Sequence, residues 1–438
     1  MCHEWASSTL SGKVIRRGTP FRVFYVGFLV LIASFLGCRR NVSAPLTQDV
    51  YVWQRVWTEA VAKAVDEAPH QSGGKMREVV PLAAEVSFRN GQPAVIRPGL
   101  AYGTLKKAPS CGLALRIGPF PGPFKRDDAV CLYLQKLACT LVADARKAGC
   151  PVAELQVDFD CAESKLEGYR VWVSAIHEAL QVLSDPVPVS ITVLPSWMER
   201  PEFGPLVRET EHFILQVHSA DLPGAGKEPV LCDPARASRW VNRAAAFGVP
   251  FRTALPTYTS LVAVSPAGKV VGVSNEGTHP AWPADARTLT ARSNAPELAQ
   301  LVREWTCRRP AAMTGIIWYR LPVSTDRMNW RWPTLAAVME GRAPRSALRA
   351  EASPGNPSDI RLVNEGERDE PLPRRVSVRW EAVPLVFADA LNGFELESAA
   401  DHVIFTAKGG GEVLTPGESR VVGWLRLGSP AKIYVTEN

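Results

Sequence analysis

The chain lacks the short motifs by which several large enzyme classes are recognised. Neither G-x-G-x-x-G nor the P-loop sequence follows any strand-like segment, so nucleotide-dependent chemistry is not indicated. No cysteine pair has C-x-x-C spacing, and no H-x-x-x-H, H-E-x-x-H or EF-hand pattern occurs. A serine nucleophile elbow is missing as well. The sequence therefore predicts no cofactor and no metal; an ion held by Asp158, Asp160 and His218 is a weaker alternative.

Long apolar runs are absent after the first 37 residues. Before that point, a basic leader precedes the apolar run Val23 to Gly37, which is too short for a comfortable membrane span. The run ends at Phe35-Leu36-Gly37-Cys38, which resembles a bacterial lipobox with phenylalanine in place of the usual leucine. Residues 1–37 are therefore predicted to be a lipoprotein-type signal peptide, with lipid attached at Cys38 and a tether over 38–48. An uncleaved membrane anchor is the alternative; both give an exported protein of the bacterial cell envelope that faces the periplasm.

Strong positive charge is absent from the remainder. The formal charge of +6 falls to +3 without residues 1–37, because that segment holds four basic residues and Glu4. No later basic block is interleaved with aromatic residues, so nucleic acid is not a predicted partner.

Cysteine usage does not predict a disulfide framework. Of nine cysteines, seven remain once Cys2 and Cys38 are assigned to the signal segment and the lipid, and seven is an odd number. Cys131 and Cys139 lie on one predicted helix, about 12 Å apart at 1.5 Å rise per residue, which excludes a direct bond. The favoured interpretation is free thiols that pack as small apolar residues.

The order of strands and helices predicts an α/β domain over residues 49–341. Helical segments separate most of eight strand-like segments, as in a parallel barrel or a doubly wound sheet. The predicted strands are 49–53, 79–88, 112–117, 154–160, 188–194, 213–218, 250–255 and 314–319. Eight strands in about 290 residues match a (β/α)8 TIM-like barrel, and a closed barrel explains inward polar side chains better than an open sheet does.

Two further segments complete the predicted architecture. Residues 342–358 are rich in proline, glycine and small residues, which is typical of a linker. Short alternating apolar runs over residues 359–438 predict a small all-β, sandwich-like accessory domain. Within the barrel, alternating runs at 261–264 and 269–273 predict a β-hairpin inserted in the seventh βα loop.

The most informative segment is Leu155-Gln156-Val157-Asp158-Phe159-Asp160. Because side chains alternate along a strand, Gln156, Asp158 and Asp160 share one face. Enzymes that cleave glycosidic bonds commonly place acid groups where a barrel strand meets its loop, so Asp158 and Asp160 are candidate catalytic residues. The alternative is a structural network with Arg116 and Gln156, since buried carboxylates need partners whether or not they react.

The ends of the other predicted strands supply further candidates. Glu85 is the third candidate catalytic carboxylate. The candidate substrate-binding residues are Trp53, Arg55, Arg116, Gln156, Trp197, His218, Tyr258, Trp318 and Tyr319. Carboxylates move protons at a glycosidic oxygen, and tryptophan and tyrosine faces stack on pyranose rings. A lone histidine at a strand end is more often a hydrogen-bonded scaffold residue than a catalyst, and the aromatic residues are as compatible with packing under loops as with stacking on sugars. Asn275, Glu276 and His279, which follow the hairpin, are placed to reach the same site.

Three segments resemble a bacterial family of exported proteins classed as a domain of unknown function. They are Trp53-Gln54-Arg55, Gln156 to Asp160, and Ser190 to Trp197, within a resemblance that runs from about Tyr51 to Met339. The resemblance implies a glycosidase-like barrel and carries no established activity.

The D-x-D strand is also similar to the D-x-x-D-x-D-x-E strand of family-eighteen chitinases. Here Leu155 replaces the first aspartate, and Glu163 lies three residues after Asp160 rather than two. Because a one-residue slip turns a side chain to the opposite face, the chitinase acid is not carried over to Glu163. The resemblance supports Asp158 and Asp160 as a polarising pair and leaves the proton donor open among Glu85, Glu163 and Asp160.

The sequence thus predicts a glycoside hydrolase-like envelope lipoprotein that acts on a polysaccharide through paired aspartates. The alternative is a non-catalytic carbohydrate-binding or envelope-assembly lipoprotein that uses the same barrel cleft.

Overall fold

The computed structural model describes residues 46–89, 91–219, 229–275 and 281–437, so the predicted signal peptide and Cys38 lie outside the described residues. The strands of the first domain are β1 (Thr47–Val52), β2 (Met76–Arg89), β3 (Gln92–Ile96), β4 (Leu113–Ile117), β5 (Leu155–Asp158), β6 (Val189–Val193), β7 (His212–Gln216), β8 (Phe251–Pro256), β9 (Thr259–Val264), β10 (Val270–Ser274), β11 (Arg287–Arg292) and β12 (Met313–Tyr319). Its helices are α1 (Glu59–Gln71), α2 (Tyr102–Leu105), α3 (Ala129–Lys147), α4 (Leu166–Gln181), α5 (Phe203–Val207), α6 (Pro234–Ala245), α7 (Ala295–Cys307) and α8 (Trp332–Met339).

Eight of these strands form a closed parallel barrel. The order around it is β1, β2, β4, β5, β6, β7, β8 and β12, and β1 pairs in parallel with both β2 and β12. These are the eight strands that the sequence predicted, so the (β/α)8 barrel is confirmed. After β2 the chain forms the antiparallel partner β3 and the four-residue helix α2 before it reaches β4.

Local sequence signals fix where the longer helices begin. Asp128 accepts a hydrogen bond from the backbone N of Cys131 at 2.7 Å and so caps α3. Asp233 caps α6 in the same way, with Pro234 at its first position. Asn294 caps α7 through the backbone N of Glu297. These three caps set the first residues of α3, α6 and α7.

Strand alternation separates two apolar layers. Leu155, Val157 and Phe159 point outward from β5 into the large core between barrel and helices, where the Phe159 ring lies 5.5 Å from that of Trp172. A much smaller apolar layer, which includes Val80 and Ile317, fills the inside of the barrel. The inward face of β5 is polar instead, and Gln156 on it is fully buried. The predicted two-faced character of this strand is confirmed.

The predicted hairpin after β8 is present as β9 and β10, which pair antiparallel. A third strand, β11, pairs with the other edge of β9 and completes a small three-stranded sheet before α7. The insertion thus stands on the loop side of the seventh barrel strand.

The second domain is built from antiparallel strands. They are β13 (Leu348–Ala352), β14 (Ser358–Asn364), β15 (Glu370–Pro371), β16 (Arg375–Trp380), β17 (Leu385–Ala390), β18 (Phe394–Ser398), β19 (His402–Ala407), β20 (Val413–Leu414), β21 (Ser419–Leu427) and β22 (Ile433–Glu437). Two four-stranded sheets, in the orders β13-β14-β21-β17 and β18-β19-β16-β22, share one apolar core as in a sandwich. Strand β13 lies inside residues 342–358, so part of the segment interpreted as a linker belongs to this sheet.

Hydrogen bonds join the second domain to the last barrel helix. Thr334 Oγ1 of α8 donates to the carbonyl oxygen of Glu367 at 2.5 Å. Arg331, just before α8, donates to Thr415 Oγ1 at 3.2 Å. Both contacts lie beside α8, away from the loops that follow the other barrel strands.

The seven cysteines of the described region are free thiols, five of them buried. None of the described helices combines the length and apolar character needed to cross a bilayer. In the same part of the chain, no three His, Cys, Asp or Glu side chains come together as a metal-binding group.

Candidate active site

A cavity of about 210 Å³ opens at the carboxyl ends of the barrel strands. It is the end of a (β/α)8 barrel at which chemistry takes place in this fold. We refer to it as the mouth cavity. Strand order divides its wall in two: β4 to β7 contribute Arg116, Asp158, Asp160, Thr192 and Gln216, whereas β1, β12 and the segments after β7 and β8 contribute Tyr51, Trp53, His218, Tyr258 and Tyr319. One half of the cavity is therefore polar and charged, and the other half is aromatic.

Asp158 ends β5 and points into the barrel, where it is 7% exposed. Thr192 Oγ1 on the neighbouring β6 donates a hydrogen bond of 2.6 Å to Asp158 Oδ1. Burial, followed by the negative charge of Asp160, raises the pKa of Asp158 to about 6, against the smaller lowering effects of Arg116 and Thr192. Asp158 is thus a carboxyl group that exchanges its proton close to neutral pH.

Asp160 lies two residues further along, at the rim of the cavity, and is exposed. Gln216 Nε2 at the end of β7 donates to Asp160 Oδ1 at 3.2 Å. The two aspartates therefore differ in environment: one is deep and hydrogen-bonded to a hydroxyl, the other faces the opening. Different environments are what assign different protonation states to neighbouring carboxyl groups.

A row of alternating charge crosses the polar half. Glu85 on β2 is in register with Arg116 on β4, and Arg116 is in register with Asp158. Arg116 Nε lies 3.9 Å from Glu85 Oε1 and 4.0 Å from Asp158 Oδ2. Glu85 is instead held by Arg55, through bonds of 2.6 and 3.1 Å, and this pairing lowers the pKa of Glu85. Glu85 is an ionised partner of Arg55 beside the cavity and does not line it.

The aromatic half is a cluster of rings in mutual contact. The Tyr51 and Trp53 rings meet edge to face at 5.3 Å, and Tyr319 lies 5.4 Å from Trp53. His218 stacks on Tyr319 at 5.5 Å, and its Nδ1 lies 3.3 Å from the Tyr258 hydroxyl. Burial lowers the pKa of His218 to about 4, so the ring is neutral at pH 7. These rings form an apolar wall opposite the carboxyl groups.

Three predicted site residues lie elsewhere. Trp197 and Trp318 are fully buried in the core between barrel and helices, where Trp318 Nε1 donates to Gln48 Oε1 at 2.9 Å. Gln156 lies one layer below the cavity floor and accepts a 2.6 Å hydrogen bond from the Tyr51 hydroxyl. The two tryptophans do not reach the mouth cavity because their side chains point toward the helices and not into the barrel. The structure thus places Trp197, Trp318 and Gln156, three candidate substrate-binding residues, outside the lining of the mouth cavity.

The sequence did not identify every residue that lines the mouth cavity. Tyr51, Thr192, Gln216 and Ala254 line the cavity, and the period-two alternation of their strands was the signal that would have placed them inward. Asn275, at the end of β10, reaches the cavity as expected, whereas Glu276 and His279 lie outside the described residues. Glu163 is exposed in a short 3-10 helix and does not line the cavity.

The opposite end of the barrel holds a second polar cluster beside a cavity of about 750 Å³. Buried Arg252 forms ion pairs with Asp49 at 2.9 Å and with Glu78 at 2.7 Å. It also pairs with Glu154, and His212 Nε2 lies 2.5 Å from the other carboxylate oxygen of Glu154. Burial and the charge of Glu154 raise the pKa of Glu78 to about 8. Burial acts to raise the pKa of Glu154 as well, but the contacts with Arg252 and His212 outweigh burial, so the pKa of Glu154 is lowered. Polar residues at this end of the fold ordinarily serve stability.

Part of each domain matches a family model that is described as a domain of unknown function. Residues 124–324 match the family described as a domain of unknown function, DUF3142, and residues 347–428 match a second domain of unknown function, DUF8456. The first match includes Asp158 and Asp160. The resemblance to a family of unknown function that the sequence indicated is confirmed over this range.

Solved structures similar to the chain include the spore cortex-lytic enzyme SleL of Bacillus cereus, with a TM-score of 0.47 and 11% identity over 69% of this chain and 75% of that one. Chitinase ChiA74 of Bacillus thuringiensis gives a TM-score of 0.42 and 10% identity over 90% of this chain and 100% of its own. The xylanase and alpha-amylase inhibitor XAIP-II of Scadoxus multiflorus gives 0.40 and 12%, over 68% and 100%. No curated protein matches the chain.

Proposed function

We propose that this protein is a carbohydrate-active enzyme that hydrolyses glycosidic bonds of a polysaccharide at the mouth cavity. The observation that carries the proposal is the pair Asp158 and Asp160, one buried and one exposed, set opposite a cluster of aromatic rings. Glycoside hydrolysis needs two carboxyl groups in different protonation states, and a pyranose ring needs an apolar plane to stack on. The cavity supplies both.

Each aspartate has a distinct role in this proposal. Asp160 faces the opening and is the group that reaches the glycosidic oxygen or the water that replaces it. Asp158 lies deeper, and because its pKa is raised to about 6 by burial and by the charge of Asp160, the pair holds a single proton over an interval near neutral pH. This proton passes from Asp158 to Asp160 and from Asp160 to the leaving oxygen, and the ionised Asp158 then stabilises the positive charge that develops on the sugar ring.

The aromatic half of the cavity orients the sugar. Trp53 and Tyr319 present ring surfaces at the opening, and His218 is neutral and so adds no positive charge beside the developing oxocarbenium ion. The Tyr258 hydroxyl is engaged with His218, and that of Tyr51 with Gln156. These two rings are thereby held in place as stacking surfaces.

The proposal is tested with purified full-length protein and a panel of envelope and extracellular glycans. We expect hydrolysis of at least one glycan, reduced by about 10²- to 10⁴-fold in Asp160→Asn, which is the range for loss of a general acid. Glu163→Gln is the matched control, because Glu163 is an exposed carboxylate three residues away that does not line the cavity. Unchanged turnover in Asp160→Asn, or an equal loss in Glu163→Gln, would remove the assigned role.

A non-catalytic carbohydrate-binding protein is the second candidate. One observation favours it: Glu163, the residue nearest to the chitinase acid in sequence, lies outside the cavity, and no glutamate among the described residues lines the cavity beside the aspartates. Glycan binding without cleavage, with the same affinity in Asp160→Asn, would identify this function.

We also propose that the protein is exported and lipid-anchored at Cys38. The support is the basic leader, the short apolar run and the Phe35-Leu36-Gly37-Cys38 sequence. Metabolic labelling with a radioactive or clickable fatty acid should mark the wild-type protein and not Cys38→Ser. Equal labelling of the two would refute attachment at this residue.

A further inference from the structure

Resting on the proposed function, we propose that the polysaccharide bound at the mouth cavity is polyanionic, and that Arg116 and Arg327 recognise its carboxylate, sulfate or phosphate groups on either side of Trp53. The proposal names a substrate class and two specificity-determining residues.

Arg116 is the first of these residues. It points into the barrel from β4, and its side chain is 37% exposed in the mouth cavity. Its Nε lies 3.9 Å from Glu85 and 4.0 Å from Asp158, both too long for hydrogen bonds. Within the described residues its guanidinium makes no hydrogen bond, so its planar set of donors is available to a ligand.

The neighbouring arginines are committed to protein carboxylates. Arg55 forms a two-point contact with Glu85 at 2.6 and 3.1 Å. Arg320 donates twice to Asp326, at 2.9 and 2.6 Å, and to the carbonyl oxygen of Asn275. Because Arg55 forms the close contacts with Glu85, Arg116 keeps only long ion-pair contacts, at 3.9 Å to Glu85 and 4.0 Å to Asp158.

A second cavity, of about 540 Å³, begins on the other side of Trp53. We call it the outer groove. Trp53 lines both cavities, so a chain of sugars stacked on this ring passes from one into the other. Arg327 lines the outer groove, is exposed, and makes neither an ion pair nor a hydrogen bond in the described part of the chain. Each cavity thus contains one guanidinium group that makes no hydrogen bond to a described residue.

The chemistry of guanidinium selects the ligand. Its coplanar N–H groups match the two oxygens of a carboxylate, sulfate or phosphate, and these charge-assisted bonds are about twice as strong as neutral ones. A neutral polysaccharide would remove water from Arg116 and Arg327 without providing an anion to balance their charge, so the free energy of desolvation would not be offset. Asp160 follows β5, the strand next to that of Arg116, and its carboxylate repels an anion, so the charged substituent must occupy the Arg116 side of the ring.

The test uses affinity gel electrophoresis with purified full-length protein and two matched ligand pairs: polygalacturonate against its carboxyl-reduced form, and dextran sulfate against dextran. We expect both anionic polymers, and neither neutral one, to retard the protein if any anion suffices. Retardation by one alone identifies carboxylate or sulfate ester as the recognised group. Arg116→Gln should weaken the anionic interaction by about tenfold or more, the loss expected for a hydrogen bond to a charged group. Arg327→Gln should weaken it less, since that residue is exposed.

Arg379→Gln is the matched control, because it removes one exposed positive charge from the second domain and should leave binding unchanged. Equal weakening by all three variants, preferential binding of the neutral polymers, or no binding of either anion overturns the proposal. The proposed function is judged separately. Anion binding that needs Arg116, with no turnover, upholds recognition and refutes hydrolysis. If a neutral glycan is cleaved at the same rate by the wild type and by Arg116→Gln, hydrolysis is upheld and recognition of an anion is refuted.

Discussion

Replacing Thr192 by valine should raise the pKa of Asp158 from about 6 by roughly one unit or more. Valine keeps the shape of threonine and removes only the hydroxyl that donates 2.6 Å to Asp158 Oδ1. A hydrogen bond to a charged group contributes about 1.5–3 kcal/mol, and 1.36 kcal/mol corresponds to one unit of pKa. Since the bond stabilises the ionised form, losing it favours the protonated form, and the pKa rises.

The opposite sign is expected when Asp160 is changed to asparagine. The negative charge of Asp160 raises the pKa of Asp158, so its removal should lower that pKa. Thr192→Ser keeps the hydroxyl and serves as the matched control, with a pKa near that of the wild type. Burial is common to all of these proteins and cancels in the comparison.

The measurement is a carbon-detected NMR titration of aspartate side-chain carboxyl groups, with Asp158→Asn used to assign the signal. Where turnover is found, the pH dependence of kcat/KM should move in the same directions. A pKa of Asp158 that is unchanged or lower in Thr192→Val would refute the assignment of Thr192 as donor. A rise in Asp160→Asn would refute the electrostatic coupling of the pair.

Two further predictions concern stability. In the folded protein the pKa of Asp158 lies near 6, above its usual value of 3.8, so its contribution to stability is present below about pH 4 and is lost as pH rises through 6. The full loss is about 3 kcal/mol, of which roughly 1.4 kcal/mol falls between pH 5 and 8. Asp158→Asn should remove this loss, and denaturant unfolding at pH 5 and 8 that shows no pH-dependent difference from the wild type would contradict it. Arg252→Met should destabilise the fold by about 3–5 kcal/mol in calorimetry while sparing ligand binding at the mouth, because it leaves Asp49, Glu78 and Glu154 buried without their shared cation; an unaltered melting temperature would exclude that role.

The sequence by itself determined the repeating pattern of the barrel. Period-two alternation placed Leu155 and Val157 outward and Gln156 and Asp158 inward, and capping residues such as Asp128 set the helix starts. These features are local: each depends on residues within a few positions of one another, so no knowledge of distant contacts is needed to read them. The location of the D-x-D pair at the end of a barrel strand followed from the same pattern.

Only the tertiary structure decided which side chains share a site. Thr192, 34 positions from Asp158, became its hydrogen-bond donor, and Glu85 became the partner of Arg55 rather than a neighbour of the aspartates. Trp197 and Trp53 both follow the end of a strand, but Trp197 is buried between barrel and helices whereas Trp53 lines the mouth cavity. The physical reason is that alternation gives the face of a residue within its strand, whereas register between strands, loop direction and the competition among several arginines for a few carboxylates depend on the closed barrel as a whole.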